Sequence, residues 1–283
     1  MIAIFMRPHG FAPNHKVPLM PSSLSDAALN LITSFEGSPP NPEWPGGESG
    51  VTIGYGCDIG ADPDSLSAWS GLLSSEDMAK LEAVKGLTGA AAHKALASVK
   101  SIVIDKAAAA TVLNTYSLPS QISKTLNAFP ASGQLPPDSF GALVSLVYNR
   151  GTSLKGETRI EMKATHDAIA SGPNQWPEAV IQIAKMAHLW PLPPTASNLS
   201  GRRLAEASLF ARGLRSIDLM TGALIKGDEG DLVRPLQTAL KLKADGKFGA
   251  MTMVSVWTYQ GTAGLPTTGV ADMATQGKIG LSP

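Results

Sequence analysis

Between Phe35 and Gly60 the chain reads FEGSPPNPEWPGGESGVTIGYGCDIG, with seven glycines set among Pro39, Pro40, Pro42 and Pro45. Such a run stops a helix and interrupts a long strand, so the segments on either side must be joined by tightly bent backbone. The same stretch holds four carboxylates, Glu36, Glu43, Glu48 and Asp58, and one threonine, Thr52. Either it is a solvated loop, or its acids are positioned for chemistry.

The flanking segments are helical in pattern. Ser25 suits an N-cap and Asp26 a first turn, and Ala28, Leu31, Ile32 and Phe35 recur at helical spacing until Gly37 and Pro39-Pro40 stop the run. Residues 74–116 read as helices separated by KGLTG. A further helix is expected over Phe140–Tyr148, capped by Asp138 or Ser139 and stopped by Gly151. Another runs from about Trp176 to Trp190, and SNLSGRRLAEASLFARG reads as a helix ending on Gly213. Val51, Ile53 and Tyr55 alternate with Thr52, Gly54 and Gly56, a strand-like period of two. The fold class is therefore mainly α (α+β), with one small β element. At 283 residues two domains are expected. The reading gives a flexible lead-in over 1–22, a main domain over 23–215, and a small three-helix domain over 222–283, where Val233, Leu236 and Leu240 line one helix face and Met253 and Val256 another.

Lys plus Arg and Asp plus Glu are 23 each, so the formal net charge is zero and gives no support for a nucleic-acid partner. Cys57 is the single cysteine, so no intrachain disulfide forms, and with no histidine near it in sequence it reads as a small packed residue, not a nucleophile. His9, His15, His93, His166 and His188 are scattered without metal-ligand spacing, so neither metal nor cofactor is expected. The opening residues lack the apolar core of a secretion signal, and no run of about 18 apolar residues occurs. The chain is expected to be made in the cytoplasm and delivered outward by other machinery.

The carboxylates divide by position. Glu36 falls at the negative end of a helix dipole, beside apolar Phe35. Both features penalise an anion, and together they suit a general acid held protonated near neutral pH; the plain alternative is a surface glutamate. Thr52 and Asp58 share an alternating face, and a hydroxyl with a carboxylate can hold a water. Six residues of straight strand span about 20 Å, so the chain must fold back for both to reach one water, and Gly54 and Gly56 permit that bend. The alternative for Asp58 is to cap the turn before Gly60. Glu43 and Glu48 read as solvated.

SFEG, GVTIGYG, FGALVSLVYNRG and GRRLAEASLFARG, in that order over residues 25–213, resemble the phage-type lysozyme superfamily. In most members the catalytic aspartate precedes the threonine by six residues; here that position is Gly46. The pattern is instead similar to the pesticin-like muramidases, in which the aspartate follows by six, where Asp58 stands. The resemblance implies Glu36 as general acid, Asp58 as the carboxylate that assists the water and Thr52 as the hydroxyl that positions it. Tyr55, Asn149 and Arg150 match positions near the cleft, with packing and helix capping as their plain alternatives, and Arg202, Arg203 and Glu206 match a structural charge network. The implied reaction is hydrolysis of the β-1,4 bond between N-acetylmuramic acid and N-acetylglucosamine.

The residues KGDEGDLVRPLQTAL, ADGKFGAMTMVSVWTYQ and AGLPTTGVADMAT resemble the three-helix peptidoglycan-binding domain of wall hydrolases, with Asp245 and Gly246 shaping a turn and Thr252 capping the next helix. The implied partner is peptidoglycan, attacked by an antibacterial effector or a phage endolysin, with an immunity or inhibitor protein as a further partner of an effector, and the chain is expected to be a monomer. Two other classes stay in view: a non-catalytic wall-binding or adaptor protein, and a wall amidase or peptidase.

Overall fold

The computed structural model describes residues 24–195 and 198–281. The lead-in expected over 1–22 lies outside the described residues. The chain is mainly helical with a small antiparallel hairpin, as expected. Helix α1 (Asp26–Glu36) leads to β1 (Thr52–Ile53) and β2 (Cys57–Asp58), followed by α2 (Ser75–Glu82), α3 (Gly89–Ala95), α4 (Lys106–Val112) and α5 (Leu118–Ala128). Then come α6 (Pro137–Arg150), α7 (Ile160–Ala170), α8 (Trp176–Lys185) and α9 (Leu199–Arg215), and last the short α10 (Val233–Ala239), α11 (Ala250–Ala263) and α12 (Met273–Lys278).

Local chemistry accounts for the boundaries around the site. The Ser25 hydroxyl accepts the Ala28 N–H at the start of α1, and Gly37 ends the helix at φ 63°. Helix α6 starts earlier than its sequence suggests, with Pro137 in its first position and no side-chain cap, because proline brings a preset φ and lacks the N–H that would go unpaired there. Helix α8 gives way to a 3₁₀ turn over Met186–Leu189 before reaching Trp190.

Gly213 does not end α9, which continues to Arg215. Its role is close approach: a Cβ there would lie 2.2 Å from Ser139 Oγ on α6, and that hydroxyl donates to the Phe210 carbonyl at 2.7 Å. Fourteen of the seventeen residues of α9 are buried, so this helix runs through the middle of the molecule, against α6, α8 and α1. A helix covered on all sides needs no amphipathic stripe, which is why LSGRRLAEASLFARGLR places charged residues among buried ones.

Two apolar clusters flank the hairpin. Val51, Ile53, Ile59, Trp69 and Leu81 pack beneath it, while Ile32, Phe140, Leu143, Phe210 and Leu214 fill the helical part, and Tyr55 touches both. The C-terminal helices are organised by two buried glutamines. Gln260 Nε2 donates to the Val270 carbonyl, and its Oε1 accepts the N–H groups of Thr268 and Gly269; Gln237 likewise pins the turn at Asp245–Lys247. Thr252 is not a cap: α11 starts from Gly249, and the Thr252 hydroxyl is buried against Gln237.

The apolar core runs without a break from α9 into the C-terminal helices, taking in Leu224, Ile225, Val233, Leu236 and Met253. Arg215 clasps Asp228 with both terminal nitrogens, at 2.6 and 2.8 Å, and the Lys226 N–H donates to Ser208 Oγ at 2.9 Å.

Candidate functional site

Glu36 is the last residue of α1, and its side chain is only 15% exposed. Oε1 lies 2.7 Å from Arg202 Nη1 on α9, a close ion pair in which the N–H is not aligned well enough to count as a hydrogen bond. Oε2 faces the hairpin turn: a Cβ on Gly56 would sit 2.9 Å from it and 3.6 Å from the Tyr148 ring. Gly56, at φ 69°, is thus required both by the turn and by the carboxylate against it. The Arg202 guanidinium also lies 5.4 Å from the Phe35 ring centroid. Its positive charge offsets the negative end of α1 at this carboxyl, an arrangement the helix end alone did not announce.

Arg202 is one member of a buried charge network. Glu206 Oε1 accepts from Ser145 Oγ at 2.7 Å, from Arg202 Nε at 3.1 Å and from Arg203 Nη2 at 3.0 Å. Through Arg202 the network reaches Glu36, so two arginines face two carboxyl groups here. Burial, the largest influence, pushes the Arg203 guanidinium down to about 10 despite the Glu206 charge, so it remains charged at neutral pH.

The hairpin turns back at Gly54–Gly56 and pairs Thr52 directly with Asp58. Opposed residues of an antiparallel pair project from the same face, so the fold-back expected from the glycines brings this pair together. Thr52 is 6% exposed, and its Oγ1 has no hydrogen-bond partner among the described residues. Glu43 is exposed, as expected, and its backbone exchanges both hydrogen bonds with Thr52, at 2.8 and 3.0 Å, so it stands in register on the other side.

The Asp58 carboxylate is engaged by backbone. Oδ1 accepts N–H groups from Gly50, Gly60 and Ala61 at 3.1, 3.0 and 2.9 Å, and Oδ2 accepts Gly50 again at 3.0 Å. A Cβ on Gly50 would meet Asp58 Oδ1 at 2.3 Å, so only glycine fits there. Asp58→Ala is expected to cost about 2 kcal/mol, since part-buried N–H groups would lose a charged acceptor. Denaturant melts check this, and an unchanged midpoint would remove Asp58 from the scaffold of the hairpin.

Beside the hairpin lies a cavity of about 260 Å³, lined by Gly56, Asp58, Asp62, Tyr116, Lys124 and Tyr148 among others. The Tyr148 hydroxyl donates to the Tyr55 carbonyl at 2.8 Å. Burial, and then the Glu36 charge, push its phenol well above the usual range. The Tyr116 hydroxyl lies 3.2 Å from both oxygens of Asp62; burial and the Asp62 charge push that phenol up to about 12. Both tyrosines stay protonated at neutral pH and serve as hydrogen-bonding groups. Glu36 lies against Gly56, which lines this cavity; of the three residues expected to be catalytic, Asp58 lines it and Glu36 and Thr52 do not.

The residues expected to bind substrate are placed differently. Asn149 Oδ1 accepts from Arg203 Nη2 at 3.1 Å. Arg150 donates to the Thr158 carbonyl and lies 5.0 Å from the Trp190 ring centroid. Tyr55 is half-buried between the two apolar clusters. None of the three lines the cavity described above, whereas Tyr148, one residue before Asn149, does. Cys57 is buried and accepts the Trp69 indole N–H at 3.5 Å; burial pushes its thiol up, as a packed thiol requires. Trp44 stacks on His93 at 4.4 Å.

Residues 229–279 match the family model described as "Putative peptidoglycan binding domain". The three C-terminal helices are thus supported as a peptidoglycan-binding domain, which associates this chain with the cell wall. No curated protein matches the chain. Among the described residues, no helix is long and apolar enough to cross a membrane, and no group of three His, Cys, Asp or Glu side chains is placed to hold a metal ion.

Proposed function

We propose that this chain is a peptidoglycan-degrading muramidase that hydrolyses the β-1,4 bond between N-acetylmuramic acid and N-acetylglucosamine. The observation that carries the reading is the setting of Glu36. Its sheltered carboxyl is held by Arg202 against a glycine hairpin that bears Thr52 and Asp58 and whose Gly56 and Asp58 line a polar cavity, in a chain with a peptidoglycan-binding domain. Glu36 then protonates the leaving glycosidic oxygen, while a water held by the unpartnered Thr52 hydroxyl attacks the sugar from the opposite face. Asp58 assists that water through the lone-pair capacity left beyond its backbone contacts, and stabilises positive charge on the sugar ring.

The C-terminal domain raises the concentration of the site at the polymer. Antibacterial effectors and phage endolysins both suit such a chain, the first with an immunity protein as partner, and both act on the wall after delivery from the cytoplasm.

Mass spectrometry of fragments released from purified walls tests the reaction. Muropeptides with N-acetylmuramic acid at the reducing end are expected. Free amines or peptide termini without new reducing sugars would replace this reading with an amidase or peptidase. Wall binding with no release would leave the non-catalytic adaptor.

A further inference from the structure

A second cavity, of about 290 Å³, lies away from the hairpin, where α1, α9 and the C-terminal domain meet. Its walls are regular. Ala27, Asn30, Leu31 and Ser34 supply one face of α1, and Ala205, Ser208, Leu209 and Arg212 one face of α9, each at helical i, i+3, i+4, i+7 spacing. Lys226, from the first turn of the C-terminal domain, closes it. The groove follows the α1–α9 seam that also holds the Glu36–Arg202 pair.

Charge accounting separates the two cations of this groove. Arg212 Nε already contacts Asp138 Oδ2 at 2.6 Å. Lys226 is half-buried, yet its ammonium has no carboxylate partner among the described residues. Burial alone pushes its pKa down, with no neighbouring charge to counter it. A sheltered ammonium without a counter-charge costs free energy unless something supplies an anion. Ser208 Oγ accepts the Lys226 backbone N–H at 2.9 Å and has no acceptor for its own proton among the described residues, so the groove holds a neutral donor beside the charged one.

We propose that this groove is a binding site for the terminal carboxylate of a peptidoglycan stem peptide, with Lys226 as its counter-ion. One free point charge beside hydroxyl and amide groups matches a monoanion. Phosphate is matched better by a guanidinium fork than by a point charge, and Arg212, the guanidinium of this groove, already holds Asp138 through Nε. Because Lys226 lies three residues before the matched wall-binding segment 229–279 while the groove walls belong to α1 and α9, a seated stem peptide registers the glycan against both parts of the chain at once. The inference rests on wall association but not on turnover.

The test uses the full chain carrying Glu36→Gln, so that binding is read without cleavage. It titrates a disaccharide–tetrapeptide with a free C-terminal carboxylate against the same compound as its C-terminal amide. The free acid is expected to bind about tenfold more tightly, the worth of one charge-assisted hydrogen bond. Lys226→Met is expected to erase that preference, with a melting temperature equal to or above that of the parent because an uncompensated charge is gone. Lys226→Gln serves as the second variant and should behave alike. In the Lys226 protein the preference should fall as pH rises through the lowered lysine range, where the cation is lost. Equal affinity for acid and amide, or a preference that survives both substitutions, would overturn the proposal. Wall lysis by the unaltered chain is measured separately, so loss of the muramidase reading and loss of this site are told apart.

Discussion

Glu36→Gln is expected to lower lysis of purified walls by about 10²–10⁴-fold, the range for removing a positioned general acid, while leaving sedimentation with walls unchanged. The substitution keeps shape and keeps an oxygen for Arg202, 2.7 Å away in the native pair, but removes the transferable proton. The wall-binding match lies at residues 229–279, far along the chain from position 36, so a catalytic defect and a binding defect separate in one pair of assays. A turbidity assay reads the first and a pull-down the second. Lysis at the unaltered rate would end the muramidase reading built on Glu36.

The same change touches the buried network. Glu36 Oε1 lies against Arg202 Nη1, and the amide that replaces the carboxyl offers that guanidinium a single acceptor oxygen. A melt of Glu36→Gln accompanies the turbidity assay so that unfolding is not mistaken for lost chemistry.

What the sequence made legible depends on how local the determinant is. The limits of α1 follow from Ser25 and Gly37, and the fold-back that pairs Thr52 with Asp58 follows from Gly54 and Gly56; both are set within a few residues. Gly213 misled because two roles of glycine look alike in one dimension: ending a helix, and admitting a neighbour's hydroxyl, here Ser139. Arg202 beside Glu36 joins residues far apart in the chain, and nothing in the FEG segment points to it. Glu43 reads as solvated and is exposed, but the backbone bridge that sets it opposite Thr52 has no signal in the residues around it. The contacts of Asn149 and Arg150 with Arg203, Thr158 and Trp190 join residues distant in the chain, and it is Tyr148 that lines the cavity beside the hairpin. Which of three successive residues faces a cavity depends on helix phase, and the early start of α6 at Pro137 was not readable from its expected cap.

The largest loss of stability is expected at a residue that touches no solvent. Glu206 is 0% exposed, and its Oε1 gathers Ser145, Arg202 and Arg203. Glu206→Leu removes the charge that holds two buried guanidiniums, and breaking a buried pair by deleting one partner costs about 3–5 kcal/mol. Arg203 suffers most: Nε and Nη1 already lack partners among the described residues, and burial is the dominant influence on it. For a fold of this size the loss corresponds to a fall of roughly 10 °C in melting temperature. Replacing both partners, Glu206→Leu with Arg203→Met, is expected to recover much of it, because the desolvation cost of Arg203 disappears with the charge. Arg202 then keeps its contact with Glu36, so the double variant should retain more wall lysis than Glu206→Leu alone. A Glu206→Leu protein that melts within about 1 kcal/mol of the parent would mean that water reaches these arginines and that α9 does not seal the network.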